Sequence, residues 1–144
     1  MYGALAPRLE NGCAVTSLGY HLGKNSEVFT KGDLIEVASG IAEVADDTAA
    51  RAIGIANRTV TMASDNQTVA KVEIDYTPLN ENVLFEMDFD AAAAVADQNA
   101  FYTITGATGA QQVSYASKDA GVGQVQLVKL DPRGEGSTTR GLRS

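Results

Sequence analysis

The chain has 144 residues, the length of one domain that buries roughly two-thirds of its unfolded surface. Only 6% of the residues are aromatic and tryptophan is absent, which favours a small-residue β-core over a leucine-rich helical bundle. The net charge of -7 argues against a general affinity for nucleic acid or for an anionic membrane surface.

Residues 1–26 carry scattered apolar side chains among glycines, without a sustained period. We interpret them as an extended N-terminal arm that docks on a neighbouring protein, with a loop-rich start to the domain as the alternative. The segment lacks the charged and apolar regions of a signal peptide, and Cys13 has no second cysteine to pair with. We therefore expect a soluble protein made in a cytoplasm. The predicted anchors of the arm are Tyr2, Leu5, Leu9, Leu18 and Tyr20.

The pattern becomes β-like at Glu27, where a domain spanning residues 27–132 is predicted to begin. Short apolar segments alternate with turn residues, as at Lys31–Asp33 and Ser39–Gly40. The next apolar segment contains Gly54, which suits a bulge or a close approach of backbones.

Two long alternating segments lie at 69–76 and 83–89. Apolar and charged residues alternate along both, which indicates strands with one dry and one wet face. The intervening residues 77–82 include a proline and two asparagines, all of which suit a loop. We predict that the two strands pair antiparallel and form the centre of the β-structure.

One short helix is predicted directly after this pair. Asp90 precedes AAAAVAD and can accept hydrogen bonds from the amides of a first turn, so it is the predicted N-cap. Three further strand-like segments follow up to residue 132. About eight short strands with turn signals predict a mainly β fold, a small antiparallel barrel, β-tulip or sandwich.

Residues 133–144 are rich in Gly, Ser and Thr and contain three arginines and one glutamate. We predict a flexible basic C-terminal tail. Its arginines, Arg133, Arg140 and Arg143, are candidates for contact with an acidic partner.

The sequence contains few residues in patterns typical of catalytic or ligand sites. We therefore predict that the protein is not an enzyme and binds neither a metal nor a cofactor. Cys13 and His21 lie eight residues apart in the arm, without a third group to orient them. The aspartates Asp88, Asp90 and Asp97 lack the glycine and the distal glutamate of a calcium loop. No glycine-rich segment lies between a strand and a helix as a phosphate loop does.

The middle of the chain resembles the decoration, or cement, proteins of tailed-bacteriophage heads. The resemblance covers roughly residues 27–132 and rests on the order of its segments. These are TKGDLI at 30–35, RAIGIA at 51–56, the VEIDY and VLFEMDF pair, the alanine-rich helix, AFYTIT at 100–105 and the terminal LVKLDP.

This resemblance implies a structural protein on the capsid exterior of a virion, assembled in the host cytoplasm. It implies a homotrimer that binds the expanded head and clamps neighbouring major capsid protein subunits. Its partners are then the major capsid protein and further copies of the chain, and the acidic net charge argues against nucleic acid and membrane.

Three alternatives remain open. A phage head–tail or tail-tube β-barrel would assemble into rings of six, and a small cellular β-barrel would bind a ligand. Trimeric deoxyuridine triphosphatases are similar in size, in Ile74–Tyr76 and in the glycine-rich segment 133–138. The chain departs from them because no glycine opens the Asp–Tyr strand and the tail has no aromatic residue.

Overall fold

The computed structural model describes residues 9–10, 18–47, 52–79, 83–130 and 139–143, and these form two packed β-layers. The strands are β1 (Leu9–Glu10), β2 (Gly19–Gly23), β3 (Val28–Phe29), β4 (Leu34–Ala38), β5 (Ile41–Val44), β6 (Gly54–Ala56), β7 (Val60–Thr61), β8 (Glu73–Pro78), β9 (Val83–Asp88), β10 (Phe101–Tyr102), β11 (Ile104–Thr105), β12 (Gln112–Val113), β13 (Val125–Leu130) and β14 (Thr139–Arg143).

The first layer is a closed barrel with the strand order β2-β5-β4-β6-β8. All its pairs are antiparallel except β2–β5, which is parallel. The prediction of a mainly β fold with a small barrel is thereby confirmed. The barrel core consists of the buried residues Phe29, Ile35, Ala42, Ala56, Met62, Ile74 and Tyr76.

The second layer is an antiparallel sheet with the order β1-β9-β14-β13-β10. A larger core includes buried residues of this sheet, such as Phe85 and Leu127, together with Leu34 and Ile55 from barrel strands. Successive residues of a strand face opposite sides, so Ile35 belongs to the barrel core while Leu34 belongs to the larger one. The strands of the barrel therefore contribute side chains to both cores.

Two small strand pairs, β3–β7 and β11–β12, and three short helical turns lie between the strands of these layers in the chain. The turns are a π-helical turn at Asn66–Ala70 and 3-10 turns at Val95–Asp97 and Tyr115–Ser117. The side chain of Asn66 is fully buried. Its Nδ2 donates to the backbone carbonyls of Gly23 and Val72, at 2.7 and 2.9 Å, and its Oδ1 accepts from the backbone amide of Val72 at 2.8 Å. It therefore ties the end of β2 to the residue before β8.

The prediction that segments 69–76 and 83–89 pair with each other is wrong. The strand β8 lies between β2 and β6 in the barrel, whereas β9 lies between β1 and β14 in the sheet. Each strand has its own buried apolar row, and the two rows enter different cores. Strand alternation gives the face that is buried but does not give the partner strand.

The boundaries of the predicted arm and tail also differ from the structure. Gly19–Gly23, placed in the arm, forms barrel strand β2, because its ladder with β8 closes the barrel. Thr139–Arg143, placed in a flexible tail, forms β14 between β9 and β13. Both neighbours of β14 supply backbone partners, which explains why a Gly- and Thr-rich segment is a strand here.

The predicted short helix is present as the 3-10 turn at Val95–Asp97, but Asp90 does not cap it. The Asp90 carboxylate instead accepts from the Tyr115 amide at 2.8 Å. The carboxylate of Asp97 accepts from the Ala94 amide at 2.7 Å, at the start of the turn. A seven-residue helix is marginal without tertiary packing, and the buried side chain of Asp97 stabilises the single turn instead.

Candidate interaction surface on the barrel

An apolar row runs along the outer face of β2. Leu18 and Tyr20 are 58% and 56% exposed, and Leu22 continues the same face because alternate residues of a strand point to one side. The parallel register places Leu22 opposite Ile41 of β5. We refer to Leu18, Tyr20, Leu22 and Ile41 as the β2 strip.

The opposite face of β2 is held against Tyr76 of β8. A Cβ atom at Gly19 would lie 2.6 Å from the Tyr76 ring, so only glycine leaves room for this ring. His21 Nδ1 and the Tyr76 hydroxyl are 2.7 Å apart, and the two rings stack with centroids 5.7 Å apart. Burial raises the pKa of Tyr76. These contacts orient β2 so that its apolar row faces solvent.

The edge of β2 that faces β5 is only partly covered. The strand β5 pairs with Leu22 and Gly23 alone, and no strand among the described residues lies beside Gly19–His21 on this side. The chain reverses at Ser39–Gly40, where φ is 52° and 79°, immediately before β5 begins. The barrel therefore closes at a two-residue seam.

Carboxylates flank the β2 strip on two sides. Glu73 and Asp75 lie opposite Leu22 and Tyr20 on β8, and Glu36 lies opposite Glu43 on the β4–β5 pair. The cations that bond to this group are Lys24, 2.6 Å from Glu43, and Arg58, whose Nε donates to Asp75 at 2.6 Å. Four carboxylates against two cations make the surroundings acidic.

The carboxylate of Glu43 faces Glu36 across the β4–β5 pair and affects the charge of Glu36. Burial, a hydrogen bond to Glu43 and the negative charge of Glu43 raise the pKa of Glu36 to about 7. Burial also raises the pKa of Glu27, which lies near Lys24 and Glu43. At neutral pH Glu36 is therefore protonated in about half of the molecules.

A second polar cluster lies between the 3-10 turns, beside a groove of about 430 Å³. The carboxylate of Asp97 accepts from Lys118 Nζ at 2.6 Å and from the Tyr115 hydroxyl at 3.0 Å. The Lys118 hydrogen bond lowers the pKa of Asp97. Tyr115 and Lys118 both bond to the carboxylate of Asp97, so the cluster stabilises the loops. Within the described residues, no set of three or more His, Cys, Asp or Glu side chains is placed to bind a metal.

The structure brings two predicted contact residues together, since Leu18 and Tyr20 share the β2 strip. Leu9 lies in β1 opposite Leu84, and Arg140 and Arg143 are strand residues of β14. The remaining predicted positions, Tyr2, Leu5 and Arg133, are outside the described residues, as is Cys13.

Leu22, Ile41 and the flanking carboxylates are not among the contact residues that the sequence predicts. The alternation of Leu18, Tyr20 and Leu22 was the available signal, because residues i, i+2 and i+4 of a strand share a face. The proximity of Ile41 depends on the parallel β2–β5 seam, for which the sequence has no signal.

In the described part of the chain, no helix is long and apolar enough to cross a membrane. The fold and the surface define the class of the molecule as a small β-barrel protein with an exposed apolar strip. Comparisons with protein-family models, curated proteins and solved structures found no match to the chain.

Proposed function

We propose that the protein is a capsid decoration protein of a tailed bacteriophage. It binds the outside of the expanded head as a homotrimer and stabilises the contacts between major capsid protein subunits. The observation that carries this proposal is the β2 strip, an apolar row in which Leu18 and Tyr20 are exposed and the other two residues are half-buried. The opposite face of the barrel wall is firmly packed. Contiguous exposed apolar surface on a soluble domain marks an interaction site.

The energetics of a decorated shell suit such a surface. Each buried Å² of apolar area contributes about 25 cal/mol, so a strip of a few side chains binds only weakly by itself. Three copies joined in a closed ring present three strips at once, and linked contacts raise the effective concentration of one another. A modest surface on each copy is therefore sufficient for a stable attachment to a repeating lattice.

Cosedimentation with phage heads tests the proposal. Purified protein is mixed with undecorated expanded heads and, separately, with unexpanded heads of the phage that encodes it. We expect saturable binding to expanded heads alone, and a native mass of three chains for the bound species. A mass of six chains would favour a head–tail or tail-tube protein, and absence of binding to either head would overturn the proposal.

Two variants locate the contact within this assay. Replacement of Leu18 and Tyr20 by serine should weaken binding by about tenfold or more, because both side chains lose apolar area that the partner covers. Replacement of Val122 by serine is the matched control, since Val122 is 80% exposed and lies outside the β2 strip, before β13. Equal binding of both variants would place the contact elsewhere.

A further inference from the structure

We propose that the open edge of β2 accepts an extended segment of the partner as an additional strand. This inference rests on the proposed function, under which the partner is a major capsid protein subunit. The segment carries apolar side chains on the face that meets the β2 strip and basic side chains beside the carboxylates. Binding of this kind joins main-chain hydrogen bonds to side-chain contacts.

Two hydrogen bonds show which way the amides of β2 point. The Gly23 amide donates to the carbonyl of Val72, on the β8 side, at 3.2 Å. The Lys24 amide donates to the carbonyl of Ala42, on the β5 side, at 2.9 Å. Because successive amides of a strand alternate in direction, Tyr20 directs its amide and carbonyl toward the β5 side, as Leu22 does.

On that side β5 does not extend to the level of Tyr20, because it begins at Ile41, opposite Leu22. Continuing the parallel register from Leu22 and Ile41 would place Ser39 beside Tyr20, but the chain turns back into β4 at Ser39–Gly40. A strand added here lies in line with β5 and continues its place in the barrel. Its outward side chains then stand next to Tyr20 and Leu18.

The surroundings identify the chemistry of the added segment. Its apolar residues extend the row formed by the β2 strip, and this contact removes the exposed Leu18 and Tyr20 side chains from water. Glu73 and Asp75 lie beyond β2, about 10 Å or two strand spacings from the added strand. A lysine or arginine directed across the Tyr20 ring reaches toward these carboxylates and also contacts the aromatic face.

Two substitutions at one position separate the main-chain contribution from that of the side chain. Tyr20→Val and Tyr20→Pro both remove the ring, but only proline removes the amide donor. The hydrogen bonds to β8 do not require this amide, because it points to the open side. Proline is tolerated at strand edges of this kind, so both variants should melt within a few degrees of each other.

The readout is cosedimentation with undecorated expanded heads. Tyr20→Val should weaken binding moderately, and Tyr20→Pro should weaken it by about tenfold more, since the bond to the added strand is lost. Equal binding of the two variants, with wild type bound, would overturn strand addition and leave the proposed function standing. Absence of wild-type binding would overturn the proposed function and the partner named here.

Hydrogen exchange of the wild-type protein provides a measurement that does not depend on the folding of the proline variant. The peptide that contains Tyr20 should exchange more slowly when the protein is bound to expanded heads, because the Tyr20 amide gains a hydrogen-bond partner. Unchanged exchange of this peptide in a saturated complex would overturn strand addition.

Discussion

The two β-layers differ in how far apart in the chain their strands lie. The barrel is built from strands within residues 19–78, whereas the sheet places β9 between β1 and β14, near opposite ends of the described residues. Yet the layers share a core, because Leu34 and Ile55 of the barrel pack in the same cluster as Phe85 of the sheet. Local assembly of one layer and long-range assembly of the other therefore produce one packed unit.

The largest expected effect tests whether the two layers unfold together. Phe29 in the barrel core and Phe85 in the larger core are both fully buried, so replacing either by alanine should cost about 3–5 kcal/mol of unfolding free energy. Each variant should still unfold in a single transition, measured by denaturant titration with probes in both layers. Separate transitions for barrel and sheet would contradict the shared core, and the milder Phe→Leu variants keep the test usable if either alanine variant fails to fold.

A smaller effect is expected from proline at the centre of the sheet. Leu142 lies opposite both Phe85 and Leu127, so Leu142→Pro breaks a ladder with strands on both sides. We expect a loss of about 2–4 kcal/mol, against a much smaller loss for Tyr20→Pro at the open edge of the barrel. Thermal melting of the two variants checks the contrast. Equal losses would mean that β14 is not a central strand or that the β2 edge is not open.

The smallest expected effect is confined to the barrel and depends on pH. The pKa of Glu36 is about 7 in the folded protein against an ordinary 4.5, so folding favours its protonated form. The resulting stabilisation is complete below pH 4.5 and is lost as the pH rises through 7. Glu36→Gln keeps the side chain neutral and should stabilise the protein above pH 7 by about 1 kcal/mol, less than the full shift implies because solvent screens the pair.

Denaturant unfolding at pH 4.5 and at pH 8 provides the measurement for this variant. The wild-type and Glu36→Gln curves should converge at the lower pH and separate at the higher. Glu43→Gln is the paired control, since it removes the facing carboxylate and should also reduce the pH dependence, at the cost of the ion pair with Lys24. A constant difference between wild type and Glu36→Gln would show that the pKa of Glu36 is not raised in the folded protein.

The contrast between the layers also explains which features could be predicted from the sequence. Alternation located the strands around Ile74 and Phe85 and the turns at Lys31–Asp33 and Ser39–Gly40, because these signals are local. The partners of those strands could not be predicted, since pairing of β9 with β1 and β14 depends on packing between distant segments. For the same reason the sequence predicts a tail where β14 lies, since its residues are typical of a loop.

The candidate surface was predictable to a similar extent. The sequence predicts Leu18 and Tyr20 as contact residues because isolated apolar side chains in a glycine-rich segment need a partner. Their place on a barrel strand is not predictable, since the need for glycine at position 19 comes from the Tyr76 ring that packs against it. The flanking acidic group was also missed, because cross-strand register alone brings Glu36 to Glu43.

The position of β14 has a consequence for how the chain folds. Every barrel strand precedes residue 79, so the barrel can form while the rest of the chain is still being synthesised. The sheet cannot be completed at that stage, because β9 and β13 are joined only through β14, which follows both in the chain. Contacts between such distant segments form slowly, so the closing of the sheet is the late step of folding. Until residues 139–143 emerge, the facing edges of β9 and β13 remain open to wrong strand partners.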